Sequence, residues 1–230
     1  MNKKFKILLP LFILGIVIFG VYAYKLHALA VEGNKIFEQR CLKVNPPLIG
    51  YKNSFLKFAD YLKNPNKYSG DEVKGFFNDY IAGMRKYVEE ESKWLEIDRK
   101  YLESWDFKLI EPWYIKTGGE YQWKMYEGYR DDAKYLLVTF DQKKAAPDND
   151  SKQKEARDRR DKYSQLYFDH FKKASKISDW RKIFGSVPLP KGCNEENLTI
   201  PNTTGAIDWG DNSASPSPTM APVESTSPLI

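Results

Sequence analysis

The feature that most constrains this chain is an uncharged apolar run near its N-terminus. The run extends from residue 7 to residue 24 and follows Lys3, Lys4 and Lys6. As a helix it would be about 27 Å long, which is close to the thickness of the hydrocarbon core of a bilayer. The sequence therefore predicts that residues 1–30 form an N-terminal membrane anchor, with membrane contact through residues 7–24.

The flanking charges predict the orientation of this anchor. Three lysines precede the run, whereas only Lys25 and His27 follow it closely, and basic residues favour the cytoplasmic side. A single-pass protein with a cytoplasmic N-terminus and its body outside the cytoplasm is expected. The alternative is a signal peptide that is cleaved near Ala30, because residues 28–30 have the small-x-small pattern of a cleavage site. Cleavage would give a secreted protein whose body also lies outside the cytoplasm.

The positive net charge comes from this N-terminal segment. The whole chain has 36 basic and 31 acidic side chains, and four of the lysines lie in residues 1–30, where there is no acid. The body is therefore almost neutral. Nucleic-acid binding calls for a concentrated basic face, and we expect no nucleic-acid partner.

Two cysteines, Cys41 and Cys193, remain in the exported body. In an oxidising compartment a single pair is most simply explained as one disulfide bond. Two unpaired buried thiols are the alternative. No Cys-x-x-Cys motif is present to suggest metal or redox chemistry.

The body has the hydrophobic periodicity of helices. A Ser69–Glu72 capping box opens one long helix, predicted from about residue 71 to residue 111 and stopped by Pro112. Two rows of apolar side chains run along this helix, and Glu91 and Asp98 interrupt one of them, so both acids are expected to reach solvent or to meet basic partners. The core positions predicted on this helix are Phe77, Tyr80, Ile81, Met84, Val88, Leu95 and Leu102.

The later part of the body continues this pattern. Residues 112–119 are expected to form an irregular turn, followed by a helix over about 120–143 and by another helix after the polar break at 145–150. The core positions predicted on these helices are Tyr126, Tyr129, Leu136, Leu137, Phe140, Leu166, Tyr167 and Phe171. The expected fold is all-α, with an extracytoplasmic helical bundle over residues 31–200. The tail at 201–230 is rich in Ser, Thr and Pro and is expected to be disordered.

Few residues offer catalytic chemistry. The chain contains only His27 and His170, so a multi-histidine metal site is excluded, and no cofactor motif is present. His170 is expected to be a structural residue at the edge of the core. Glu111 and Glu120 flank an aromatic turn and give one enzymatic alternative, an envelope glycan hydrolase in which one of them is the acid.

The same turn contains the candidate partner surface. Trp113, Tyr114 and Trp123 fit the apolar rows poorly, and exposed Trp and Tyr often contact proteins or sugars. A small cluster that closes the end of the bundle is the other interpretation. The sequence favours a non-enzymatic, membrane-tethered binding or scaffolding domain with an envelope protein or glycan partner; an accessory subunit of a membrane complex is a further alternative.

Overall fold

The computed structural model describes residues 3–142 and 147–185, and within these ranges all regular structure is helical. A 3-10 turn at Pro65–Lys67 separates the first two helices. The helices in chain order are α1 (Lys3–Lys63), α2 (Gly70–Glu103), α3 (Trp105–Ile110), α4 (Trp113–Gln142), α5 (Pro147–Ala174) and α6 (Trp180–Phe184). The four long helices α1, α2, α4 and α5 follow one another in alternating directions and form a bundle.

Helix α1 is 61 residues long and has two chemically different parts. From residue 9 to residue 21 every described side chain is exposed, and this part is long and apolar enough to cross a membrane. From Leu26 onward one stripe is buried at helical spacing, including Leu29, Gly33 and Val44. The same helix therefore leaves the candidate membrane segment and becomes a packing helix of the bundle.

Consecutive prolines usually end a helix, yet helix α1 continues through Pro46 and Pro47. Prolines in a helix interior free the carbonyl groups four residues earlier. Here those carbonyls belong to Leu42 and Lys43, which are exposed residues, so water can replace the missing donors. Residues on both sides of the prolines pack against α2, and this packing holds the helix together across them.

The capping box at the start of α2 is confirmed, because Ser69 accepts from the backbone N–H of Glu72 and the Glu72 carboxylate accepts from that of Ser69. The predicted long helix, however, is broken at Ser104. The hydroxyl of Ser104 accepts from the N–H of Phe107 and caps a new helix, α3. The break changes the direction of the chain, so Trp105 and Leu109 leave the apolar rows and become exposed.

Residues 113–119 are helical rather than an irregular turn. Gly119 lies where α4 crosses the end of α2, and a Cβ there would come within 2.7 Å of a methyl group of Leu102. Farther along, a Cβ on Gly128 would meet the backbone of Arg160 at 2.8 Å. These glycines serve the close approach of neighbouring helices, not chain reversal.

The core is centred on α1, α2 and α4. Its fully buried members are Val44, Tyr80, Met84, Tyr87, Trp94, Ala133 and Leu137. All seven core positions predicted on α2 are buried or half-buried, and so are seven of the eight predicted on the later helices. Tyr129 is the exception at 42% exposed. The contribution of α1 through Val44, Leu48 and Phe55 was not predicted.

We call the end of the bundle beside residues 19–27 of α1 the near end, and the opposite end the far end. Residues of α2, α3 and α6 meet α1 at the near end: Tyr101 donates to the Leu29 carbonyl at 2.9 Å, Lys25 pairs with Asp106, and His27 lies 3.1 Å from the Phe184 carbonyl. The aromatic segment around Trp113 therefore lies at the end of the bundle beside the candidate membrane segment.

Candidate functional site

A cavity of about 90 Å³ lies between α1, α2, α4 and α5 in the near half of the bundle. Most of its walls are apolar or aromatic, and its polar groups include Arg40, Asp98, Gln122 and His170. This space is large enough for several waters or a small organic group. Bundle cores of this type are common places for ligand sites.

The side chain of Arg40, on α1, forms part of the wall of this cavity. It is 6% exposed, donates to Glu91, and donates to Asp98 at 2.9 Å. Its guanidinium also lies over the ring of Tyr126, 3.3 Å from the centroid. The expectation that Glu91 and Asp98 would meet a basic partner is confirmed, and one arginine serves both acids.

The Arg40 cluster has an excess of negative charge. Glu91 is fully buried, and among the described residues its Oε2 atom has no hydrogen-bond partner. Burial raises the pKa of Glu91 above its ordinary value even though Arg40 acts against the shift, and Asp98 adds to it. Burial likewise raises the pKa of Asp98, again opposed by Arg40. Both carboxyl groups therefore keep a proton to higher pH than exposed acids do.

A second buried ion pair lies beside the cavity. Arg181 of α6 donates to Glu111 at 2.7 Å and to the Gly185 carbonyl at 2.7 Å. Glu111 is 2% exposed and Arg181 is 3% exposed. Burial raises the pKa of Glu111, and the attraction of Arg181 opposes this rise. The pair connects the α3–α4 junction to α6.

His170 connects α5 to the start of α4. Its Nε2 atom lies 2.6 Å from the carbonyl oxygen of Tyr114, and its ring meets Trp113 and Tyr121 edge to face. Tyr114 in turn donates to Asp179 at 2.8 Å. These contacts hold the near ends of three helices together and give His170 a packing role.

The three residues of the candidate partner surface have different environments. Trp113 is 66% exposed, whereas Tyr114 is only 2% exposed. Trp123 is half-buried, and its indole N–H donates to the Leu95 carbonyl at 2.9 Å. Of the three, Trp113 presents an open ring at the surface.

Glu111 and Glu120 do not face a common cleft. Glu111 is buried against Arg181, while the Glu120 side chain is 64% exposed and lies 3.4 Å from Lys124. Neither residue lines the cavity.

Cys41 follows Arg40 on α1 and is 6% exposed. Cys193 lies outside the described residues, so the bond between them stays a prediction, as does the character of the tail at 201–230. In the described part of the chain, no group of three or more potential metal ligands comes together.

Sequence reasoning did not identify Arg40 or Arg181 as members of this site. The two acids in the apolar row predicted contact with either solvent or a basic partner, but nothing in the pattern identified that partner as a residue of α1. For Arg181, the sequence offered no comparable signal, because the short segment before Gly185 also contains the charged residues Asp179 and Lys182.

No protein-family model matches the chain, and no curated protein or solved structure matches it significantly.

Proposed function

We propose that this chain is a non-catalytic, membrane-tethered helical domain that binds or scaffolds a component of the cell envelope. Its N-terminus is cytoplasmic and its bundle lies outside. The observation that carries the proposal is the continuity of α1, which leads without interruption from the exposed apolar segment into the bundle core.

The cavity chemistry supports a binding role over catalysis. Arg40 and Arg181 bind the buried acids Glu91, Asp98 and Glu111. These groups hold helices together, and neither Glu91 nor Glu111 lines the cavity in which a substrate would have to bind. A small, mainly apolar group with one hydrogen-bonding function fits such walls.

The tether is tested first by fractionation and topology. The full-length protein should resist alkaline extraction from membranes, and protease added outside intact cells or spheroplasts should digest the bundle. A protected bundle would reverse the orientation. A soluble product whose N-terminus is Val31 would support the secreted alternative.

The binding role is tested with isolated envelope glycan and the purified full-length protein. We expect no release of new reducing ends. Release that Glu111→Gln or Glu120→Gln abolishes would instead support the glycan hydrolase. Stable co-purification of one integral membrane protein in mild detergent would support the accessory-subunit alternative.

A further inference from the structure

The near end of the bundle has an unusual set of exposed apolar side chains. We call them the near-end collar: Trp105, Leu109, Trp113, Trp180 and Ile183, which are 75%, 60%, 66%, 54% and 62% exposed. Water-facing surfaces seldom concentrate so many large apolar residues, and such patches mark contacts with proteins or membranes.

The collar comes from three separate segments, of which α3 and α6 meet α1 where its apolar part ends. In α3, Asp106 lies 2.5 Å from Lys25 and the Ile110 carbonyl lies 3.5 Å from the Tyr22 hydroxyl. In α6, the ring of Trp180 meets Phe19 edge to face at 5.2 Å. The start of α4 is joined to α6 through Tyr114.

The contact with Phe19 places α6 at the depth of the apolar segment. Phe19 precedes Tyr24 by five residues, which corresponds to about 7.5 Å along a helix. Phe184 also meets Phe19, at 5.7 Å. If residues 7–24 lie in the hydrocarbon core, then α6 lies at the boundary between that core and the headgroups.

The orientation of α6 agrees with this position. Its charged Arg181 points inward and is neutralised by Glu111, while Trp180 and Ile183 point outward. Exposed lysines on the same end, such as Lys108 and Lys176, supply cations beside the collar. Tryptophan with nearby lysine is the composition of membrane–water interfaces.

We propose that the near-end collar inserts into the headgroup region of the same bilayer that α1 crosses, so that the bundle rests on the membrane surface. The lipid bilayer is the occupant of this face because the collar is continuous with the candidate membrane segment through Phe19 and Tyr22. This inference rests on the membrane tether of the proposed function.

The test uses tryptophan fluorescence of the full-length protein in phosphatidylcholine vesicles. The lipids are brominated near the headgroup end of one acyl chain and quench only tryptophans that reach them. All variants carry Trp209→Phe, so five tryptophans remain, three of them in the collar. Brominated vesicles should remove about half of the emission, as expected for tryptophans at the interface.

The decisive variant combines Trp105→Phe, Trp113→Phe and Trp180→Phe, and it should lose most of this quenching. Trp105→Phe alone should lose part of it without a folding defect, because this side chain is largely exposed. The matched control is Trp94→Phe, which removes a buried tryptophan inside the bundle and should leave the quenched emission unchanged.

Two outcomes overturn different claims. Extraction of the protein from the vesicles by alkaline carbonate would refute the tether itself. Resistance to extraction, combined with equal quenching of the parent and the triple variant, would refute the collar and leave the tether standing. The second outcome would also be the result if another copy of the chain covered this face.

Discussion

The two halves of the bundle are stabilised by different chemistry. In the far half, around Tyr80, Met84 and Leu137, the core between α1, α2 and α4 is filled by aromatic and aliphatic side chains, and polar contacts such as that of Gln153 with Asp132 lie between α4 and α5. The near half contains the cavity and buries Arg40 with Glu91 and Arg181 with Glu111. Burial of apolar surface is directly stabilising, whereas a buried ion pair loses hydration that its attraction repays only in part.

This difference indicates that the two halves have different roles. Packing in the far half can hold the helices together, and the near half can keep charges and a cavity that packing alone would not select. The pairs of the near half connect α1 to α2 and the α3–α4 junction to α6, which are the contacts that set the position of the bundle relative to the apolar segment.

The largest expected effect concerns the covalent frame. The predicted Cys41–Cys193 bond closes a loop of about 150 residues and would stabilise the near half by about 5 kcal/mol in the chain-entropy model. Peptide mapping without reduction should recover the linked pair from protein isolated from its native compartment. Two free thiols there would show that the near half is held by packing and ion pairs alone.

The next effect comes from breaking the Arg40 cluster. Arg40→Ala leaves two acids without their cation and should lower the free energy of unfolding by about 3–5 kcal/mol. Denaturation of the full-length protein in mild detergent measures it. The matched control is Arg40→Met with Glu91→Met, which removes the cation together with the fully buried acid, leaves only the half-buried Asp98 unpaired, and should cost clearly less. Equal losses would mean that shape, and not unpaired charge, dominates in the near half.

The corresponding change in the far half is Met84→Ala. Met84 is 1% exposed in the core, and its truncation should cost about 2–5 kcal/mol through lost contacts and a cavity. Leu62→Ala, at a position that is 48% exposed, should change the same denaturation midpoint little. A small effect of Met84→Ala would contradict the assignment of stability to the far half.

The smallest effect is pH-dependent and specific to the near half. Because burial raises the pKa of Glu91 in the folded protein, the folded state holds this proton more tightly than the unfolded state. The contribution of Glu91 is therefore largest below its ordinary pKa of 4.5 and is lost as the pH rises through the raised value. Glu91→Gln should gain stability relative to the parent as the pH increases from 4.5.

Denaturation curves of both proteins at several pH values test this prediction, and the difference between them cancels the contributions of surface acids. Glu90→Gln, at a neighbouring half-buried position whose acid pairs with Lys93, is the control and should not show the same trend. A parallel pH dependence of parent and Glu91→Gln would contradict it.

Local signals predicted much of the far half. The capping box and the apolar rows define α2 from neighbouring residues only. In the near half, the positions of Glu91 and Asp98 in an apolar row predicted contact with either solvent or a basic partner. The near half was harder to predict because its features depend on distant segments. Continuation of α1 past Pro46 depends on packing against α2, and exposure of Trp105 follows from the cap at Ser104.

The glycines of α4 show the same limit of prediction from local sequence. Gly118 and Gly119 indicated a turn by local preference, but both lie inside α4, and at Gly119 the side chain of Leu102 approaches too closely for a Cβ. The way in which two helices cross determines which of their residues are in contact. The crossing depends on residues throughout the chain, so it cannot be predicted from a local pattern.

Pro46 and Pro47, two of the three prolines of α1, also set where this long helix is mechanically weakest within the bundle; the third, Pro10, lies in the apolar segment. At about 1.5 Å per residue, α1 is roughly 90 Å long, and it lacks two backbone donors at Pro46 and Pro47. No such weakness occurs between Tyr24 and Leu26, where the apolar segment meets the bundle. Within the bundle, α1 therefore bends most easily in the far half. Because the helix is continuous between the apolar segment and Arg40, a tilt or rotation of that segment would also move the Arg40 cluster and the wall of its cavity.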